Sequence, residues 1–258
     1  MHFIIARAAR ITGGMLEQAV REQLREAHIP EPDCVICYGA GYNGQLPALN
    51  ANCSDMNKMD QGIALETGLG AEALRIIPIL QDRHPMQTYP LPLVARKIRH
   101  SKGRDMRVCR TLKSVRACLA RGRHHFFTPI VPSDTEYRVW VYRKRVLSVY
   151  EKRLTEPENN VKFGRNRANG WTFHALDTEN IPDSVRRVAV AAVRCLHLDF
   201  GAVDVLGTRR GTEMHPTVLE VNSAPGVSDE HRTAFVKLAH RIVRWIANGC
   251  PARERDEV

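Results

Sequence analysis

Glu220 and Asn222 stand two positions apart in VLEVNSAPG (218–226), an apolar run that breaks at a small-residue, proline-containing loop. In a strand, residues i and i+2 look to one face, so the carboxylate and the amide point together. Burying both without partners is costly, so the pattern asks for something with affinity for oxygen ligands. The plain alternative is the polar end of a half-exposed strand. Upstream, FGAVDVLG (200–207) is another apolar strand with one carboxylate, Asp204. Antiparallel pairing across TRRGTEMHP brings Asp204 opposite Glu220, with Cβ atoms about 4.5–5.5 Å apart. Two like charges that close are unfavourable unless a cation lies between them. Three hard oxygen donors suit magnesium. A structural ion pair with a nearby arginine is the competing explanation.

Magnesium held in this way usually serves a nucleotide, so phosphate-binding groups are expected elsewhere. Lys97 ends the apolar LVARK, and HSKG (100–103) follows as a turn whose backbone N–H groups suit phosphate oxygens. There is no G-x-x-x-x-G-K-[ST] loop, and many surface turns look like HSKG. No serine or cysteine triad is evident, and the adjacent His124 and His125 lack ligand spacing.

The elements that position these groups follow from periodicity. HFIIA (2–6) reads as a strand, and MLEQAVREQLREAH (15–28) as an amphipathic helix. CVICYG is a second strand, GAGYNGQLPALNANCSD (39–55) a loop, and MNKMDQGIALETGLG a helix ended by glycines. The alternation predicts a small α/β lobe over residues 1–90, bounded by the proline-marked RHPMQTYPLPL (83–93). Beyond it come a strand LVARKI, a loop RHSKGRD, a helix around TLKSVRACLARG, the apolar HFFTPIV, and strands EYRVWVY and VLSVYEKRL joined around RKR. A long polar loop, TEPENNVKFGRNRANGW, comes next. The helix DSVRRVAVAAVRCLHL follows Pro182 with Asp183 as its cap. The last helix, SDEHRTAFVKLAHRIVRWIANG, has a strong apolar face, and PARERDEV (251–258) is expected to fray.

At 258 residues the chain suits one large domain or two lobes. Its 43% hydrophobic and 26% charged content is ordinary for a soluble globular protein. No apolar run reaches the length of a transmembrane helix, and the arginine-interrupted N-terminus is a poor signal peptide. A cytoplasmic protein with no membrane contact is expected. Seven scattered cysteines do not form a disulfide framework, and CVIC reads as a buried strand with free thiols. The net charge of +10 favours anionic partners, whether nucleic acid, nucleotides or acidic peptides, and no nucleic-acid-binding signature chooses among them.

Taken in order, these parts resemble the ATP-grasp superfamily: a strand ending in lysine, a glycine-containing loop, an apolar linker, an E-x-R strand, a lysine/arginine strand, an arginine/asparagine loop, then D…E-x-N. In particular they resemble carboxylate–amine ligases related to the ribosomal-protein glutamate ligases and D-alanine–D-alanine ligases. The resemblance is strongest over 91–226, with E-x-N-x-x-P-G as its most specific part, and extends faintly into MNKMDQGIALETGLG. The chain length resembles the small ATP-grasp proteins of phage and prophage genomes. The resemblance implies an α+β ATP-grasp fold, with two α/β lobes gripping ATP (91–131 and 132–250), preceded by a small α/β N-terminal domain (1–90).

It also implies roles. Asp204, Glu220 and Asn222 would bind magnesium ions, two in number and replaceable by Mn²⁺, that bridge the ATP phosphates. Lys97 would contact phosphate under a flap containing Ser101 and Gly103. Backbone groups of Phe127, Thr128, Pro129 and Ile130 would hold adenine. Arg138, beside Glu136, would lie near phosphate or the acyl group, and Lys152 or Arg153 would face the nucleotide. Asn166, with either Arg165 or Arg167, would stabilise the acyl-phosphate and the tetrahedral intermediate. Two departures stand out: the flap is poor in glycine and the linker lacks the superfamily's frequent glutamate.

The implied activity is ATP- and Mg²⁺-dependent ligation of a carboxylate to an amine, releasing ADP and phosphate. Its substrates would be small molecules or peptides, with an acidic macromolecule as a further candidate. A basic nucleic-acid-binding module and an ATP-grasp kinase acting on a hydroxyl are the alternatives. The first lobe, and its 39–55 loop in particular, is where substrate contacts are expected.

Overall fold

The computed structural model describes residues 1–6, 9–53, 56–78, 91–98, 106–122, 126–155, 165, 169–226 and 228–252. The chain begins with β1 (His2–Ile5), α1 (Arg10–Glu26), β2 (Val35–Tyr38) and β3 (Ala48–Leu49). The three strands pair in parallel in that order, with α1 as the crossover that parallel pairing requires. α1 starts at Arg10, earlier than its apolar spacing suggests. Gly13 permits this: a Cβ there would stand 2.4 Å from Ile5 Cγ2, so a larger residue would have to displace the Ile5 side chain for the helix to lie on β1. α2 (Lys58–Leu69) is capped by Asn57, whose side-chain oxygen accepts from the N–H groups of Met59 and Asp60, each at 3.0 Å.

A four-stranded antiparallel sheet follows, ordered β4 (Ile77–Pro78), β7 (Phe126–Pro129), β5 (Leu93–Arg96) and β6 (Arg107–Cys109). Against α3 (Leu112–Ala120) it buries Leu93, Ala95, Phe127, Val115 and Cys118. The larger sheet has five antiparallel strands, ordered β10 (Trp171–Leu176), β9 (Arg145–Leu154), β8 (Thr135–Tyr142), β11 (Phe200–Arg210) and β12 (Glu213–Asn222). Strand alternation gives it two distinct faces. Val139, Val149, Val203 and Val205 pack on α4 (Asp183–Cys195), while Trp140, Tyr150, Phe200 and Ala202 pack with residues of α1, β2 and α5 (Arg232–Ala247).

Several expectations need correction. The small sheet takes an edge strand from upstream of residue 90, because Ile77 pairs with Phe127. Residues of α1 and β2 pack in one buried cluster with residues of the large sheet. β10 starts at the end of the expected loop and runs through a stretch to which the sequence reading assigned no element; as an edge strand its residues are half-buried to exposed and its apolar signal is weak. Asp183 occupies the first helical position, with Pro182 at the cap and no capping side chain. The tail is anchored at its start, where Trp245 Nε1 donates to Pro251 O at 2.9 Å; residues 253–258 lie outside the described set. All seven cysteines are free, and burial pushes Cys34 and Cys37 up to about 12. Among the described residues no helix is long and apolar enough to cross a membrane.

Candidate functional site

The register of β11 against β12 sets Asp204 directly opposite Glu220, with an irregularity immediately after Asp204. On the other side of β11, Asp204 faces Arg138 of β8. Arg138 donates from Nε to Asp204 Oδ1 and from Nη2 to Oδ2, both at 2.8 Å, a bidentate ion pair. Lys152 of β9 donates to Glu136 and lies 3.8 Å from Asp204 Oδ2. Lys58, at the start of α2, approaches Glu220 Oε2 at 3.0 Å, and Asn222 Nδ2 donates to Glu220 Oε1 at 3.2 Å.

The positions of these side chains have local causes. Gln61, one turn beyond Lys58, donates to Val221 O at 2.9 Å and accepts from Val221 N at 3.1 Å. This satisfies backbone groups of edge strand β12 and holds Lys58 over Glu220. The small residues of SAPG answer to a close approach. Gly39 has φ +75°, and a Cβ there would be 2.8 Å from Ala224 Cβ. Tyr38 donates to Pro225 O at 2.6 Å, tying the first lobe to the loop beside the carboxylates.

The small sheet contributes from across the site. Leu93 and Ala95 face the α3 side, so alternation turns Arg96 the other way. Burial lowers its pKa, opposed by the charges of Glu220 and Glu136, and its Nε has no hydrogen-bond partner among the described residues. Lys58 N–H donates to Ile98 O at 3.2 Å, which holds the end of that strand against α2. Arg165 donates from Nη2 to Ser133 O at 2.8 Å and lies 5.0 Å over the Trp171 ring, while its buried Nη1 has no partner among the described residues.

The electrostatics follow from this packing. Burial would raise Asp204, but Arg138 and Lys152 outweigh it and hold the carboxyl below its ordinary value. Glu220 is likewise lowered, with Lys58, Arg96 and Arg138 overcoming burial. Glu136 is raised, because burial exceeds the pull of Lys152. Lys58, Arg96, Arg138, Lys152 and Arg165 thus surround Glu136, Asp204 and Glu220, leaving positive charge in excess. With donors on Arg96 and Arg165 unanswered, the arrangement suits a polyanion with many acceptor oxygens.

As a metal site the donor set is two ionised carboxylates and an amide, the hard-oxygen chemistry that Mg²⁺ takes, with further positions for ligand and water oxygens. Among the described residues no group of three or more His, Cys, Asp or Glu side chains could hold a metal. The carboxylate oxygens are already paired with Arg138, Lys152 and Lys58. The structural ion pair is therefore present, and a divalent ion would share those oxygens.

Of the expected residues, Glu136, Arg138, Lys152, Asp204, Glu220 and Asn222 converge, and Arg165 joins from the side. Arg153 does not: alternation turns it to the opposite face, where it is exposed and pairs with Glu151 at 2.7 Å. Phe127 is flanked on both sides, by Ile77 and Ala95, so its backbone offers no edge to a base. The Ile130 N–H donates to Pro92 O at 3.4 Å. Thr128 and Pro129 pair with Val94 and Leu93, and the buried Thr128 Oγ1 has no partner among the described residues. Lys97 directly follows Arg96 and is half-buried. Ser101, Gly103, Asn166 and Arg167 lie outside the described residues. Sequence reasoning missed Arg96, which alternation from Val94 could have found, and Lys58, which the capped Asn57-Lys58 helix start could have found. It also missed His231, a buried histidine that packs on Phe173 at 4.3 Å and Tyr150 at 4.7 Å. Phe173 in turn lies 4.8 Å beneath the Arg138 guanidinium.

A family model described as the RimK-like ATP-grasp domain matches residues 80–246, which hold the whole cluster except Lys58. The chain belongs to the RimK-like ATP-grasp family. The ribosomal protein bS6–L-glutamate ligases of Escherichia coli O81 (strain ED1a) and Shigella boydii serotype 18 (strain CDC 3083-94 / BS512) are each 32% identical over 102 residues, 40% of this chain and 33% of theirs. The aligned stretch thus spans about a third of the length of those curated relatives. D-alanine–D-alanine ligase from Bacillus anthracis, complexed with ATP, superposes with a TM-score of 0.63 at 13% identity, covering 96% of this chain and 97% of that one. The ATP-grasp ligase PsnB, complexed with a minimal precursor, superposes at 0.61 with 13% identity, covering 96% and 98%. These likenesses establish the α+β ATP-grasp fold.

Proposed function

We propose that the protein is an ATP- and Mg²⁺-dependent ligase that joins a carboxylate to an amine through an acyl-phosphate, releasing ADP and phosphate. The observation that carries this reading is the facing pair Asp204 and Glu220, kept ionised within a cluster of excess cations, in a chain of the RimK-like family. Asp204, Glu220 and Asn222 would hold the metal. When bound, Mg²⁺ would neutralise phosphate charge and polarise the transferring phosphoryl group.

The remaining roles fall to this chain's own side chains. Arg96, Lys97 and Lys152 bind phosphate oxygens, and Arg138 keeps the carboxylates spaced and ionised. Arg165 neutralises charge on the acyl-phosphate and on the oxyanion that follows. An oxygen of the substrate carboxylate bonds to the γ-phosphorus as its bond to the β–γ bridging oxygen breaks, and ADP leaves. The amine nitrogen then bonds to the acyl carbon, the carbon–oxygen bond to phosphate breaks, and the nitrogen loses a proton. No protein nucleophile is required.

The substrates are proposed to be an amino acid and an amino-acid or peptide partner, in keeping with the names of the curated relatives. The N-terminal part, up to about β4, is proposed to select them, ahead of the two gripping lobes. A cytoplasmic location belongs to the same reading. Hydroxylamine trapping with mass spectrometry of the products tests it. An acyl-hydroxamate and a new amide are expected, whereas a phosphorylated hydroxyl as sole product would make the protein a kinase.

A further inference from the structure

Two shallow grooves meet at the β8–β9 hairpin end of the large sheet, and neither touches the carboxylate cluster. One, of about 570 Å³, is lined by Val146, Leu147, Lys237, His240, Arg241 and Arg244. The other, of about 530 Å³, shares Arg241 and Arg244 and adds Arg143, Arg145, Val190 and Trp245. No carboxylate lines either groove among the described residues. Arg143 is tied back to Asp199 at 3.2 Å. Arg145, Arg241 and Arg244 make no ion pair among the described residues.

The helix pattern explains the cationic rim. Lys237, Arg241 and Arg244 fall at i, i+4 and i+7 of α5, on one stripe. Leu238, Ile242 and Ile246 of the same helix are buried in the core. Between rim residues the floor is aliphatic, through the partly exposed Val146 and Val190. Tyr142 and Trp245 also border the second groove, but they are 8% and 3% exposed and offer no ring face to a base. Arg145 is seven residues from Lys152 along β9, roughly 23 Å at strand rise. The patch is therefore separate from the candidate reaction centre.

We propose that this surface docks an acidic, partly apolar segment of a polypeptide. Its carboxylates would meet the forked donors of Arg145, Arg241 and Arg244 and the ammonium of Lys237, and its aliphatic side chains would cover Val146 and Val190. The partly exposed valines of the floor favour a peptide over a nucleic-acid strand, and the exposed His240 at the edge of the first groove is the ring that the oligonucleotide comparison below probes. The inference does not depend on the reaction proposed above.

Fluorescence anisotropy tests it, using a labelled peptide of about a dozen residues that alternates Glu with Leu. The same peptide with Lys replacing Glu, and an oligonucleotide of equal charge, serve as comparisons. Binding of the acidic peptide that weakens with salt is expected, with at least about tenfold loss in R241E/R244E and separately in R145E. Retained thermal melting and retained Mg·ATP binding show that a variant is folded, and R145E, on a different element, carries the test should the double variant not fold. Unchanged peptide affinity in both folded variants would overturn the proposal. So would an oligonucleotide that binds more tightly than the peptide and is lost in the same variants.

Discussion

Arg138 and Asp204 meet across β8 and β11 through two hydrogen bonds of 2.8 Å, with the Asp204 side chain 6% exposed. Removing the guanidinium takes the bidentate partner from a buried carboxylate and leaves Lys152, 3.8 Å away, to offset its charge. Arg138→Ala should cost about 3–5 kcal/mol of stability, whereas Arg138→Met with Asp204→Leu should recover much of it, since an apolar pair escapes the desolvation cost. Both should be inactive. Urea unfolding checks the first part, and a loss under about 1 kcal/mol for Arg138→Ala would show that the pair is not structurally coupled.

Neighbouring cations on β9 should behave differently. Lys152 is buried beside Glu136 and Asp204, whereas Arg153 is exposed on the other face. Lys152→Ala should reduce ATP turnover by at least about a hundredfold, a typical cost of losing one buried charge stabiliser. Arg153→Ala should leave it within about threefold and, as a surface change, should barely alter stability. Steady-state kinetics on the two variants decide it, and equal losses would contradict the alternation.

Lys58 competes for Glu220. Its ammonium is 3.0 Å from Oε2, where a divalent ion would bind. Lys58→Met should tighten Mg²⁺ binding measured without nucleotide, because a competing cation has gone. Isothermal titration reads this directly. Weaker Mg²⁺ binding in the variant would place the metal away from Glu220.

His231 makes stability depend on pH. Burial, aided by the charge of Arg138, pushes its pKa down to about 4, so the folded state keeps the ring neutral. Between its ordinary value near 6.5 and about 4, the unfolded chain binds a proton that the folded chain refuses. This contribution is complete above pH 6.5 and is lost as pH falls toward 4, on the order of 3 kcal/mol. Asp204 and Glu220, lowered in the fold, act in the same sense at lower pH. Urea unfolding at pH 7.5 and pH 5 should show a shallower decline for His231→Phe than for the parent chain.

The sequence carried the facing of Asp204 and Glu220 because both strands are apolar apart from those side chains and the turn between them leaves few registers. Lys152 and Arg153 stayed ambiguous because neighbouring residues on one strand differ only in the face they take, which depends on what lies above. Arg96 was overlooked beside Lys97 for the same reason. In the 39–55 loop, where substrate contacts were expected, Asn50 is a fastening. Its side chain accepts from the N–H groups of Asp199 and Phe200 at 2.6 and 2.9 Å and donates to Phe200 O at 2.9 Å. Partners about 150 positions away leave no local signal, and neither does the shared core that joins the first lobe to the large sheet.

The most direct test of the central claim is ADP release by the purified protein with Mg²⁺ and ATP, in the presence of pooled amino acids and peptides. It is run on the parent chain alongside Asp204→Asn and Glu220→Gln. The account predicts release that depends on particular pools and is abolished in both variants while their folds persist. Pool-dependent turnover that survives in folded Asp204→Asn and Glu220→Gln proteins would contradict it.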